Sequence, residues 1–158
     1  MKNELATFAA GCFWGVEELF RSTEGVLSTR VGYIGGNTEE PSYEEVCSGE
    51  TNHAEAIEVE FDPKLISYTD LLNLFWENHN PTTLNQQGPD RGTQYRSAIF
   101  YHNQEQQELA SASKHALDKA KKWSQPIVTE ITKASVFWPA EEYHQKYLFK
   151  KGASHCSF

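Results

Sequence analysis

The chain has 158 residues and a formal net charge of −8; hydrophobic residues make up 39% of it and charged residues 23%. This length fits one domain with a buried core, and the composition is that of a globular protein. The negative charge argues against a nucleic-acid backbone or an anionic membrane as partner, and no apolar run approaches the roughly 18 residues of a membrane span.

The cysteines are sparse and odd in number. Cys12, Cys47 and Cys156 form no Cys-x-x-Cys pair, which argues against a disulfide framework, a zinc ribbon or a thioredoxin-type motif. The N-terminus lacks the basic region and apolar core of a secretion signal. We therefore expect a cytoplasmic protein with reduced thiols, and take a monomer as the default.

Cys12 stands at a predicted strand-to-helix turn. A strand-like apolar run ends at Gly11, two large aromatics follow the cysteine, and apolar residues then recur at helical spacing. The amides and dipole of a helix's first turn favour a thiolate over a thiol, which makes Cys12 a candidate nucleophile. The alternative is a small buried cysteine packed against core aromatics.

Hydrophobic periodicity along the chain predicts strands that alternate with helices. Residues 80–95 read as a long polar loop, of the kind that is usually functional, and the tail from about residue 149 should be flexible. Two strands are nearly consecutive, so we predict one α+β domain over 1–158, with helices on one face of a mixed sheet. The predicted strands are 4–10, 26–34, 53–62, 96–101 and 127–131, and the predicted helices are 14–21, 67–79, 103–122 and 140–149, with a helical turn at 43–47.

Several polar side chains are candidates to assist Cys12. Tyr33, Tyr43 and Tyr95 fall at strand ends or in loops, where a phenol either faces a cleft or satisfies its hydroxyl locally. Glu55 alternates with apolar residues and should face the core, where desolvation raises the pKa of a carboxyl and allows it to act as a general acid. The alternative for Glu55 is a strand-end carboxylate that still reaches solvent.

The remaining candidates lie in loops or near the end of the chain. Asp90 belongs to a polar, glycine-containing loop, whose charges are also typical of a solvated surface. Cys156 is two residues from the C-terminus, so a mobile tail could bring it to Cys12 to form a disulfide during turnover; the alternative is an idle thiol. Cys47 is interpreted as a spectator thiol.

Longer motifs then follow one another from about residue 7 to residue 147. Together they resemble the A-type peptide methionine sulfoxide reductases, in that family's order. The resemblance implies a ferredoxin-like α/β two-layer sandwich that repairs oxidative damage by reducing the S epimer of methionine sulfoxide, free or in proteins. The motifs include Gly11-Cys12-Phe13-Trp14-Gly15, Gly32-Tyr33-Ile34-Gly35-Gly36, Pro41-Ser42-Tyr43-Glu44-Glu45-Val46-Cys47-Ser48-Gly49, His53-Ala54-Glu55, Phe61-Asp62-Pro63 and Asp90-Arg91-Gly92-Thr93-Gln94-Tyr95-Arg96-Ser97.

The resemblance also implies a role for each motif residue. The nucleophile leaves the reaction as a sulfenic acid, a second thiol converts it to a disulfide, and thioredoxin or dithiothreitol reduces that bond, with no cofactor or metal. The resolving thiol is assigned to the tail, with the thiol at position 47 as the alternative. The roles are nucleophile for Cys12, acid for Glu55, donors to the sulfoxide oxygen for Tyr43 and Tyr95, methyl pocket for Phe13 and Trp14, a position near the cleft for Asp90, and tentative resolving thiol for Cys156.

Two other functions compete with this one. A cysteine hydrolase would pair Cys12 with a histidine such as His53 or His144, and a peptide-binding module would carry an incidental cysteine. The chain also departs from the family's pattern at two loop positions, with Asn52 where the family often has Gly and Asn80 where it often has Asp.

Overall fold

The structure, a computed structural model, describes residues 3–121 and 123–150. Over these residues, strands and helices alternate along the chain with short connections. In order, the elements are β1 (Glu4–Ala10), α1 (Phe13–Arg21), β2 (Val26–Ile34), α2 (Tyr43–Cys47), β3 (Ala54–Phe61), α3 (Tyr68–Glu77), β4 (Gln86–Gln87), β5 (Asp90–Arg91), β6 (Ser97–Tyr101), α4 (Gln104–Ala120), β7 (Glu130–Lys133), β8 (Trp138–Pro139) and α5 (Tyr147–Lys150), with 3-10 turns at Thr93–Tyr95 and Glu142–His144.

A six-stranded sheet in the order β7-β6-β1-β3-β2-β8 forms the centre of the molecule, and β4 pairs with β5 separately. The neighbours are antiparallel except β6 and β7, which are parallel. The central order β6-β1-β3-β2, with α1 and α3 as crossovers, is the βαββαβ arrangement of ferredoxin-like folds. The predicted fold class is therefore confirmed.

Aromatic residues hold the helices to one face of this sheet. Phe8 of β1 stacks on Phe20 of α1 and on Phe75 of α3, with 5.3 Å between ring centroids in both pairs. Ala110 of α4 joins the same buried cluster, so three helices share one core. These stacked, buried rings pack α1 and α3 against β1, and Cys12 lies in the chain between β1 and α1.

Two sequence predictions near the C-terminal part of the fold were wrong in their limits. The strand predicted at 127–131 pairs only from Glu130 onward, because the amides of Ile127 and Val128 bond the Asp118 side chain and the Pro81 carbonyl instead. The helix predicted at 140–149 is broken.

Residues 140–146 follow the edge of β2 rather than forming a helix. The side chain of Gln145 accepts from the Val31 amide and donates to the Val31 carbonyl, both at 2.9 Å, as a neighbouring strand would. The Ala140 amide adds a bond to the same carbonyl at 2.9 Å. Residues 151–158, most of the predicted tail, lie outside the described residues.

Within residues 3–121 and 123–150, no helix combines the length and apolar character that crossing a membrane requires. The same residues contain no group of three or more His, Cys, Asp or Glu side chains that could hold a metal ion.

Candidate active site

Cys12 occupies the N-cap position of α1, directly after the buried strand β1. Gly11 makes the turn with φ at 97°, and a side chain there would meet Gln87 carbons at 2.8 Å, so glycine is required for both backbone and space. The first turn of α1 contains no acidic residue to oppose the helix dipole. The half-buried thiol of Cys12 therefore lies where a thiolate is favoured, as its sequence position predicts.

Glu55 is 1% exposed on β3, so the alternative of a carboxylate reaching solvent is wrong. Its Oε1 accepts a hydrogen bond from the Phe13 amide at 3.3 Å, which links it to the first turn of α1. Burial raises the pKa of Glu55 to about 8; the Phe13 bond opposes this shift and the charge of Asp90 adds to it. At neutral pH this carboxyl is protonated, and its Oε2 has no hydrogen-bond partner among the described residues.

Two phenols converge on this carboxyl from different elements. Tyr43 is the first residue of α2, and Tyr95 ends the 3-10 turn that precedes β6. Burial raises the pKa of both hydroxyls well above the usual range, so both are neutral, and for Tyr43 a hydrogen bond with the Cys47 side chain adds to the shift. The charge of Glu55 acts on both phenols and that of Cys12 on Tyr95. The structure thus brings together the thiol, the acid and two donors that the sequence nominated.

Tyr33, the third tyrosine, has a different environment. Its side chain is 0% exposed, and its hydroxyl donates to Glu141 Oε1 at 2.9 Å. Burial and this bond raise the pKa of Tyr33. The hydroxyl is satisfied locally, the alternative that the sequence left open.

The adjacent aromatics after Cys12 are buried to different extents. Phe13 is 1% exposed and packs against Tyr33, with 5.8 Å between ring centroids. Trp14 keeps part of its surface exposed, stacks on Tyr147 at 3.9 Å between centroids, and donates from Nε1 to His144 Nδ1 at 2.9 Å. The indole is thereby held in one orientation beside the thiol.

The remaining predicted residues lie at the margin of the site or beyond the described residues. Asp90 is half-buried on β5, close enough for its charge to raise the pKa of Glu55. Cys47 ends α2 and is exposed; the structure has no disulfide between it and Cys12. Partial burial raises the pKa of the Cys47 thiol, a bond from the Tyr43 hydroxyl lowers it, and the charge of Glu55 raises it further. Cys156 lies outside the described residues.

Sequence reasoning missed Glu141 and considered His144 only as a possible base of a hydrolase, although both residues contact the site from the C-terminal side. Glu141 bonds Tyr33 and the Tyr43 backbone, and His144 bonds Trp14 and packs on Tyr43 with 4.4 Å between ring centroids. The pattern after Pro139 resembled an amphipathic helix, which concealed these contacts. Residues 141–147 are rich in polar and aromatic side chains. An exposed helix does not require so many aromatic residues, so this composition was the available signal that the segment makes other contacts.

Both histidines of the hydrolase hypothesis make structural hydrogen bonds. His53 is 2% exposed; its Nδ1 accepts from the Gly36 amide at 3.0 Å and its Nε2 bonds the Thr38 carbonyl at 2.8 Å. Both nitrogens therefore fix a loop. His144 uses Nδ1 for the Trp14 indole, and burial lowers its pKa.

The two departures from the family's pattern have structural explanations. Asn52 adopts φ of 58°, a left-handed conformation that asparagine tolerates better than most side chains. Asn80 Oδ1 accepts from the Thr82 amide at 3.0 Å and from its hydroxyl at 2.6 Å, which an aspartate oxygen would do equally well. Neither substitution disturbs the site.

Comparisons with known proteins identify the family of this chain. The model of the family described as "Peptide methionine sulfoxide reductase" matches residues 4–158. The peptide methionine sulfoxide reductase MsrA of Methanosarcina acetivorans is 60% identical over 149 residues, covering 94% of this chain and 79% of the relative. The MsrA of Methanothermobacter thermautotrophicus is 56% identical over 155 residues, covering 98% of this chain and 92% of the relative.

Solved structures show the same fold. Reduced Mxr1 from Saccharomyces cerevisiae superposes with a TM-score of 0.90 at 37% identity, covering 99% of this chain and 92% of that one. Mxr1 in complex with Trx2 gives a TM-score of 0.65 at 26% identity, covering 92% of this chain and 85% of that one.

Proposed function

Because the chain belongs to the peptide methionine sulfoxide reductase family, we propose that it reduces methionine-S-sulfoxide, free or in proteins, to methionine. The observation that carries this proposal is the buried Glu55 with an unpartnered oxygen, bonded to the first turn of the helix that Cys12 precedes and close to two phenols. A sulfoxide oxygen needs donors as its bond to sulfur weakens, and these groups are donors.

In the first step the Cys12 thiolate attacks the sulfoxide sulfur and forms an Sγ–S bond. The oxygen takes the proton of Glu55 while Tyr43 and Tyr95 donate hydrogen bonds to it, and the S–O and Sγ–S bonds then break as the hydroxyl passes to Cys12 Sγ. Methionine leaves, reduced by two electrons, and Cys12 becomes a sulfenic acid, oxidised by two. Glu55 regains its proton from water.

Selectivity for one epimer follows from directions that the site fixes. Glu55 and the phenols define where the oxygen points, and Cys12 defines the direction of attack. The partly exposed Trp14, packed against the buried cluster that contains Phe13, offers an apolar surface to the methyl group. When the positions of the oxygen, the methyl group and the attacking sulfur are all set, the remaining substituent of the sulfoxide can be accommodated in only one of the two epimers.

Regeneration requires a second thiol, and we assign it to Cys156. Burial raises the pKa of the Cys47 thiol, which disfavours the reactive thiolate at that position. α5 begins at Tyr147, which stacks on Trp14. Position 147, nine residues before Cys156 in the sequence, is therefore next to the site. The Cys156 thiol displaces water from the sulfenic acid to form a disulfide, which a thioredoxin-type dithiol reduces; Mxr1 in complex with Trx2 supports that partner class.

The test is dithiothreitol-dependent reduction of a peptide carrying either sulfoxide epimer. We expect turnover of the S epimer only, and none with Cys12→Ser. Equal turnover of both epimers would contradict the selectivity, and activity retained by Cys12→Ser would contradict the nucleophile.

The resolving thiol is tested with matched serine variants. Cys156→Ser should still release one methionine per enzyme molecule but lose recycling by thioredoxin, whereas Cys47→Ser should recycle normally. Mapping the disulfide of enzyme treated with substrate alone, by mass spectrometry, should find Cys12 joined to Cys156. A Cys12–Cys47 bond would move the resolving role to Cys47.

A further inference from the structure

Glu141 connects α2 to the central sheet through both oxygens of its carboxylate. Oε2 accepts the backbone amide of Tyr43 at 2.9 Å, and Oε1 accepts the hydroxyl of Tyr33 at 2.9 Å. The residue lies in segment 140–146, which Gln145 ties to the edge of β2. One carboxylate thus joins the proposed donor Tyr43 to a fixed part of the fold.

The sheet side of this connection is rigid. Tyr33 is 0% exposed, lies opposite Glu55 in the β2–β3 register, and packs against Phe13. Partial burial would raise the pKa of Glu141, but the bonds from the Tyr43 amide and the Tyr33 hydroxyl outweigh it and lower the pKa. Glu141 is therefore an ionised acceptor whose two strong hydrogen bonds are charge-assisted.

The helix side has few other attachments. α2 spans only Tyr43–Cys47, too short to be stable on its own, and its capping box at Ser42 is internal to the segment. Val46 packs into the core, the His144 ring packs on the Tyr43 ring with 4.4 Å between centroids, and the Gln94 side chain reaches the Cys47 carbonyl at 3.4 Å. The bond from Glu141 fixes the helix at the residue that carries the phenol.

We infer that Glu141 is a positioning residue for the reduction, acting through the backbone of Tyr43. This inference rests on the proposed role of Tyr43 as a donor to the sulfoxide oxygen. Both Glu141 oxygens already accept hydrogen bonds within the protein, so the carboxylate acts through Tyr43 rather than on the substrate. A displacement near 1 Å at a reacting group lowers rates by up to about 100-fold, which sets the scale of the effect.

The test is a double-mutant cycle on the first turnover without reductant, measured by rapid quench at saturating methionine sulfoxide. Glu141→Ala should slow the first turnover about tenfold in the presence of Tyr43 and by less than about twofold in the Tyr43→Phe background. Glu141→Gln keeps an acceptor for the Tyr43 amide and should restore most of the rate. This rescue also answers the possibility that Glu141→Ala folds poorly.

One control separates positioning from general loosening of the segment. Glu142→Ala removes the neighbouring carboxylate, which is exposed and pairs with Lys150 rather than with Tyr43, and it should show no coupling to Tyr43→Phe. Additive effects of Glu141→Ala and Tyr43→Phe would overturn the inference while leaving the proposed function intact. No effect of Tyr43→Phe alone would instead contradict the proposed donor role of Tyr43.

Discussion

Buried polar groups occupy two regions of this protein that are built in opposite ways. In the first, His79 Nδ1 bonds the Phe75 carbonyl at 2.6 Å, its Nε2 bonds Ser97 Oγ at 2.7 Å, and Ser97 bonds Thr129 Oγ1 at 2.7 Å. In the second, around Cys12, the Oε2 of Glu55 has no partner among the described residues. One region is a completed network, and the other keeps a polar atom unsatisfied.

The difference shows which region is built for stability and which for chemistry. Burial lowers the pKa of His79 to about 4 and raises that of Glu55 to about 8, so both side chains are neutral at pH 7. The neutral histidine is fully bonded and locks α3 to β6. The neutral carboxyl holds a proton with an unpartnered oxygen, at a penalty of about 1–3 kcal/mol for such an atom, and this suits it to protonate a substrate.

The largest expected effect is on the reaction itself. Glu55→Gln preserves shape but carries no transferable proton, so we expect the first turnover to slow by about 10³-fold, with substrate binding little changed. Rapid quench measures the rate. Glu60→Gln makes the same chemical change on the opposite face of β3, where Glu60 accepts from Ser28 at 3.0 Å, and should leave the rate unchanged. Equal rates for wild type and Glu55→Gln would contradict the acid role.

The same substitution should increase stability at alkaline pH. The pKa of Glu55 lies near 8 in the folded chain and near 4.5 unfolded, so the folded state binds more protons and its stability falls as pH rises between these values. From pH 5 to pH 8, the free energy of unfolding of Glu55→Gln should rise relative to that of wild type by on the order of 3 kcal/mol. Urea unfolding at both pH values measures this, and a constant difference would mean that Glu55 is not desolvated.

His79 should have the opposite dependence. Its folded pKa of about 4 lies below the unfolded value of 6.5, so its contribution is present above pH 6.5 and lost as pH falls toward 4. The unfolding free energy of wild type should therefore drop toward that of His79→Gln by on the order of 2 kcal/mol over this range. His115→Gln, an exposed change on α4, is the control and should follow wild type. A gap that stays constant with pH would rule out a buried neutral histidine.

The smallest expected effects come from the phenols. Each of Tyr43→Phe and Tyr95→Phe removes one of several donors to the oxygen, so we expect the first turnover to slow by about tenfold in each case. Tyr33→Phe removes a hydroxyl that donates to Glu141 rather than to the substrate, so it should change this rate by less than about twofold. If Tyr33→Phe proves as slow as the other two, the division between donor and structural tyrosines is wrong.

Much of the fold was predictable because its signals are local. Hydrophobic periodicity predicts the strand at 4–10 and the helix that follows it, and the glycine at position 11 predicts the turn between them. These elements determine where Cys12 lies. The burial of Glu55 followed from alternation along β3. The convergence of Tyr43 and Tyr95 depended on the resemblance, since no local pattern relates two loops so far apart.

What could not be predicted depends on long-range contacts. Residues 140–146 carry a helical pattern, yet β2 offers the Val31 amide and carbonyl next to the residues that β8 pairs, and Gln145 binds both. The same competition moved β7 to Glu130–Lys133, because the Ile127 amide bonds Asp118. Glu141 was invisible for this reason: its role exists only once the segment lies along the sheet.

The pH dependence of the first turnover tests the central claim most directly, in wild type and Glu55→Gln over pH 6 to 10. If Glu55 delivers the proton, the wild-type rate falls above a pKa of about 8, and this fall is absent from the slow Glu55→Gln enzyme. The same fall in both enzymes would assign it to another group and contradict the account.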